Sequence, residues 1–89
     1  METRVAVIAI IVEESSATET LNQLLSEAKE YIIGRMGIPY RARGINIISV
    51  AIDAPQDVIS ALSGKIGKLP GISSKLAYSN VITRAADPC

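Results

Sequence analysis

Arg35, Tyr40, Arg41 and Arg43 crowd into one short stretch, and they are the residues whose types could do recognisable chemistry. A guanidinium presents forked donors that match a carboxylate or phosphate at two points, and a tyrosine can wall or hydrogen-bond the same ligand. Arg35, Tyr40 and Arg41 are therefore expected to hold a small anion or carboxylate near a boundary between subunits. The plainer alternative is a solvated hairpin whose arginines pair with acidic neighbours such as Glu13 and Glu14.

Other motifs carry less. Ser63-Gly64-Lys65 invites comparison with a phosphate loop, but no glycine stands five residues before Gly64, and Ile66 occupies the place of the magnesium-binding hydroxyl. Gly64-Lys65-Ile66-Gly67 and Gly34-Arg35-Met36-Gly37 both match G-x-x-G, yet the nucleic-acid clamp of that pattern must lie between two helices. Lys65 and Lys68 read as complements to the negative end of a helix, and Asp53 and Asp57 as stabilisers of the next helix's first amides. The sequence has no His, and its one cysteine, Cys89, is the last residue. No nucleophile, base or metal-ligand set converges, so the expectation is no catalytic residue, no metal, no cofactor and no enzyme.

The bulk numbers limit the partners. The 89 residues suit one small domain, and the 48% hydrophobic content includes only three aromatics, all Tyr, so the core must be aliphatic. Nine basic residues cancel nine acidic ones, and the pI is about 6.2, which argues against direct nucleic-acid binding. Duplex DNA should bind no tighter than about tens of micromolar at physiological salt. A sequence-specific gel shift at nanomolar protein would overturn that expectation. A lone cysteine fits a reducing cytoplasm. The apolar run Val5–Val12 is too short to span a bilayer, and Glu13-Glu14 follows where a signal peptidase needs small residues.

The elements that must position these residues follow from periodicity. Val5–Val12 is β-branched and apolar at both parities, a strand with both faces expected to be covered. Ser16-Ala17-Thr18-Glu19 has capping-box spacing, and Ala17, Leu21, Leu24, Leu25 and Ala28 recur at helical intervals after it. Tyr31–Ile38 reads as a strand whose Gly34 and Gly37 suggest a bulge, an edge or a close backbone approach. Pro39–Gly44 is a connector, and Ile45–Asp53 a second strong strand, the two strands forming an antiparallel hairpin. Pro55 opens a helix whose buried side is Val58, Ile59, Leu62, Ile66 and Leu69. Ile72–Ile82 alternates as an edge strand should.

The order β-α-β-β-α-β predicts an α+β, ferredoxin-like fold: a four-stranded antiparallel sheet, first and third strands central, with two helices on one face. Residues 1–82 form the single domain, and 83–89 a flexible C-terminal tail. Helices cover one face only. Assigning the bulkier Ile8, Ile10, Ile48, Val50 and Ile52 to the helix side, with the reverse parity as the alternative, leaves Val5, Val7, Ala9, Ile11, Ile45, Ile47 and Ala51 as an oligomer interface, so the first expected partner is a second copy, in a homodimer or tetramer.

Arg4-Val5-Ala6-Val7-Ile8, the stretch Gly34–Arg41, the stretch Asp57–Gly67 and Pro70-Gly71-Ile72 resemble the small regulators associated with the iron-only hydrogenase system. The resemblance covers roughly residues 3 to 80, and its most specific piece is Ala61–Gly67 with Gly71. It implies a ferredoxin-like domain related to ACT domains and to the metal-sensing domain of the nickel regulator, relatives that work as oligomers with effectors between subunits. Without His, nickel sensing is not carried over. Amino-acid-binding ACT domains place a glycine in the loop after the first strand, where this chain has Glu13-Glu14-Ser15-Ser16. Taken with the residue readings above, the resemblance leads to the expectation of a cytoplasmic, oligomeric, ligand-sensing regulatory module without its own DNA-binding domain, acting through a small anionic metabolite or a regulatory protein partner. The alternatives are an assembly protein with no effector and, more weakly, a transcription regulator that contacts nucleic acid directly.

Overall fold

The computed structural model describes residues 2–84, of which 81–84 are described as backbone alone. Four strands, β1 (Glu2–Val12), β2 (Ile32–Tyr40), β3 (Ile45–Ala54) and β4 (Ile72–Arg84), form one antiparallel sheet in the order β2-β3-β1-β4. Helices α1 (Thr18–Glu27) and α2 (Gln56–Gly67) cover one of its faces. This is the expected ferredoxin-like βαββαβ arrangement, with the first and third strands central.

Parity explains the core. Ala6, Ile8, Ile10 and Val12 of β1 sit in register with Ile52, Val50, Ile48 and Asn46 of β3. The apolar members of this set are buried against Leu21 and Leu25 of α1 and Ile59, Leu62 and Ile66 of α2. All five residues assigned to the helix side are therefore there. The other parity is uncovered within the chain: Ile8 is 0% exposed, whereas Val7 is 40%.

Local chemistry departs from expectation at three places. The capping box does not form, because a 3-10 turn, Ser15–Ala17, precedes α1, and no side chain caps either helix. The backbone satisfies that turn itself, the Ala17 amide donating to the Glu14 carbonyl at 3.1 Å. Asp53 likewise does not cap α2: Pro55 is the N-cap residue, and its carbonyl accepts from the amides of Val58 and Ile59 at 3.0 and 3.1 Å. Finally, β4 continues to Arg84, pairing Thr83 with Thr3 and Arg84 with Glu2, two residues past the boundary set at 82. Residues 85–89, the rest of the expected tail, including Cys89, lie outside the described residues.

Gly71 joins α2 to β4. Its φ of +75° is a left-handed conformation, and its carbonyl accepts from the amides of Glu13 and Glu14 at 2.7 and 3.3 Å. Ser73 Oγ donates to Glu13 Oε1 at 2.5 Å beside it. The end of β1 is thereby fastened to the start of β4.

Candidate functional site

The face away from the helices is built in rows by strand register. Val7 lies between Ala51 and Ala77, Ala9 between Ser49 and Lys75, and Ile11 between Ile47 and Ser73. On the far side of β3, Gly34 opposes Ala51, Met36 opposes Ser49, Ile38 opposes Ile47 and Tyr40 opposes Ile45. Directly opposed residues of an antiparallel pair share a face. The seven residues expected at an interface therefore lie on one surface, with Val5 opposite Asp53 at its end.

Sequence reading missed three members of that surface. Met36, Ile38 and Tyr40 are 63%, 53% and 48% exposed, more than Val7, Ile11 and Ile47. The signal was present in the hairpin. A four-residue turn, Arg41–Gly44, closed by the left-handed Gly44 (φ +66°), puts Tyr40 opposite Ile45. Counting back from that pair places Met36 and Ile38 outward. Among the described residues, Lys75 on β4 and Asp53 at the Val5 end are the charged members of the rows. One carboxylate oxygen of Asp53, Oδ1, is shielded from solvent with no hydrogen-bond partner.

The three residues expected to hold an anion do not gather within one chain. Arg35 opposes the buried Val50, so it leans to the helix side, where its guanidinium donates to Asn22 Oδ1 of α1 at 3.1 Å. Tyr40, of opposite parity on the same strand, is on the open face. Arg41 is exposed in the turn, whose backbone is held by the Arg43 amide on the Tyr40 carbonyl and the Gly44 amide on the Arg41 carbonyl, both at 3.2 Å. Arg43 instead lines a cleft of about 300 Å³ with Ile11, Glu13, Ile45 and Ser73, at the end of the open face. A shallower hollow of about 280 Å³ lies over Gly34, Arg35, Met36, Ser49 and Ala51.

The glycines of β2 have a structural account. β2 is an edge strand, and its register with β3 shifts between Ile32 and Gly34, so both the edge and the bulge that they suggested are present. At the opposite corner, on the helix side, the Arg4 guanidinium lies 5.0 Å from the Tyr78 ring centroid, and the Tyr78 hydroxyl and Ser60 Oγ are hydrogen-bonded at 3.3 Å. That contact ties β4 to α2.

Sheet order and one-sided helices define a βαββαβ module of ferredoxin-like fold. The chain belongs to the TM1266-like family, described as "Iron-only hydrogenase system regulator, putative", whose model matches residues 4–76. Among solved structures it resembles the uncharacterized protein TM1266 from Thermotoga maritima, at 32% identity and a TM-score of 0.82, covering 85% of this chain and 96% of that one. It also matches a formyltetrahydrofolate deformylase from Pseudomonas putida KT2440 at 17% identity and a TM-score of 0.63, over 86% of this chain but 29% of the deformylase, a likeness of fold alone. No curated protein matches it significantly. Among the described residues, no helix is long and apolar enough to cross a membrane, and no three His, Cys, Asp or Glu side chains are grouped to hold a metal ion.

Proposed function

We propose that this chain is a small regulatory module of the cytoplasm that pairs with a second copy through its open sheet face and responds to a small anion held where the hairpin rim meets that face. The observation that carries the reading is the open face itself. Strands about 4.8 Å apart and about 3.4 Å per residue give a sheet of this size roughly 600 Å². Doubling it gives about 1,200 Å², the lower end of what specific, stable interfaces bury. For one chain, a largely apolar face of roughly 600 Å² stands at the upper end of what a typical monomer exposes, the size at which such patches mark interaction sites. The family's description supports a regulator over an enzyme, and a link to the iron-only hydrogenase system enters as part of the same proposal.

Light scattering at micromolar concentration tests the pairing, with a dimer or tetramer expected and a monomer excluding it. For the effector, Tyr40 and Arg41 at the rim, with Arg43 in the adjacent cleft, supply the hydrogen-bonding and cationic groups. Arg35 could join them only across the subunit boundary. A thermal-shift screen of anionic metabolites is expected to give a compound that stabilises wild type and loses its effect in Arg41→Ala, while the oligomer persists. Exposed ion pairs contribute roughly 0 to 1 kcal/mol, so the substitution itself should barely change the unliganded melting point. The Arg35–Asn22 contact favours a second reading, an assembly protein without effector, because it occupies one of the three expected anion ligands. If no compound stabilises wild type, or stabilisation survives loss of both Arg35 and Arg41, that second reading is the better one.

A further inference from the structure

The helix layer carries a second concavity, remote from the sheet face. Leu24, Glu27 and Ala28 with Tyr31 on one side, and Val58, Ala61, Leu62 and Lys65 on the other, line a groove of about 300 Å³. The α2 set recurs at three- and four-residue spacing and forms one stripe along that helix, and the other set carries a stripe from Leu24 and Glu27 of α1 past its end, through Ala28 to Tyr31 of the 3-10 turn Lys29–Tyr31. Ala28 and Ala61 stand in the middle of these stripes and are too small to close the gap. Its floor is apolar: Leu62 and Ala28 belong to the core, and Leu24, Tyr31 and Val58 pack against it.

The ends of the groove differ in charge. β1 and β2 both run antiparallel to β3, so α1, which returns the chain from β1 to β2, runs opposite to α2. Lys65, in the last turn of α2, is therefore at one end, and Glu27 and Tyr31 at the other, beside Val58. Seven residues of helix separate Val58 from Lys65, a rise of roughly 10 Å. Among the described residues, no side chain is paired with the Lys65 ammonium, the Tyr31 hydroxyl or the Glu27 carboxylate. A concave apolar floor with a few unpartnered polar groups converging on it is the usual form of a small-molecule site.

We propose that this groove binds a small amphipathic acid: its carboxylate on Lys65, an apolar or aromatic body over Ala28 and Ala61, and a hydrogen-bond donor at the far end received by Glu27 and Tyr31. The arrangement excludes a dianion, whose second charge would meet Glu27, and discriminates against acids too short to reach across the two alanines. This site lies on the helix side, goes beyond the reading of the sheet face and stands independently of it.

Titration of the isotope-labelled chain with 3-(4-hydroxyphenyl)propanoate, followed by amide chemical shifts, tests the proposal. The expected result is saturable binding at about 1 mM or tighter, with shifts concentrated at Ala28, Ala61 and Lys65. 4-Ethylphenol, which lacks the carboxylate, should bind at least about tenfold more weakly, a loss of about 1.4 kcal/mol. Lys65→Ala should weaken the acid by a similar factor, whereas Lys68→Ala, one turn-end away, should not. Ala61→Phe fills the groove from an exposed position and should abolish binding while keeping the wild-type fold. Shifts confined to the Arg41–Gly44 turn, no saturable shift at 10-fold excess over the expected constant, or full affinity in Ala61→Phe would each overturn the proposal.

Discussion

Gly71→Ala is expected to destabilise the chain by about 3 kcal/mol, the largest effect of any single methyl added to it. Two terms contribute. Holding a side chain in the left-handed region at φ +75° costs about 1–2 kcal/mol. The added Cβ would also stand 2.6 Å from Glu14 Cβ, 2.8 Å from its Cγ and 2.9 Å from its Oε2. Relieving that overlap means moving the Glu13-Glu14 turn, an overpacking cost of about 1–3 kcal/mol. The turn cannot move freely, because its two amides are bonded to the carbonyl of Gly71 itself. Gly44→Ala is the control: its φ is +66°, but nothing lies within 4 Å of the added atom, so only the conformational term of about 1–2 kcal/mol applies. Urea unfolding monitored by circular dichroism should show the midpoint falling further for Gly71→Ala at an unchanged slope. Equal losses at the two glycines would mean that the clamp on Glu13 and Glu14 contributes nothing.

The second large effect is expected on assembly. Ile11 and Ile47 face one another across the two central strands, β1 and β3, towards the hairpin end of the open face, and each is about 40% exposed in the single chain. Replacing both with Asp should convert the proposed oligomer to a monomer at micromolar concentration, because stacking two copies would bury carboxylates without partners. The fold itself should persist, since neither side chain belongs to the buried core. Two readouts check this: the mass by light scattering, and the loss of any dependence of the unfolding midpoint on protein concentration. A double variant that keeps the wild-type mass would place the contact elsewhere.

Much of this architecture was legible because β-branched runs and helical stripes are strong signals. The separation of Ile8, Ile10, Ile48, Val50 and Ile52 from Val7, Ile11 and Ile47 needs only a period of two; bulk favoured the first set for the helix side without excluding the reverse, and their burial decides it. The family was legible in Ala61–Gly67 with Gly71. What was not legible depended on register and on backbone geometry. Calling Pro39–Gly44 a connector hid the pairing of Tyr40 with Ile45, and so hid Met36 and Ile38. The same omission joined Arg35 to Tyr40 as neighbours in sequence when strand parity sends them to opposite sides. Ser16 had the spacing of a cap, yet a 3-10 turn met the same backbone need with no side chain at all. For Gly71, sequence showed a glycine after a proline, but not the pair of glutamates pressed against it. The helix groove was the least visible feature, because its shape comes from Ala28 and Ala61, residues that ordinarily mark nothing more than helix propensity.

The central position of β1 has a consequence for synthesis. β1 is the first strand to leave the ribosome, but its neighbours are β3 and β4, and its last hydrogen-bonded partners are Arg84 and Thr83. Such non-local pairing slows folding, because a long loop must close before any contact repays it. Until β4 emerges, one backbone edge of the most apolar strand is open, and its outward side chains have no cover either. Nascent chains in that state are aggregation-prone and draw on chaperones. A chain stopped short of β4 would therefore retain β1, α1, the hairpin and α2, yet should behave as a sticky fragment rather than a smaller version of the protein.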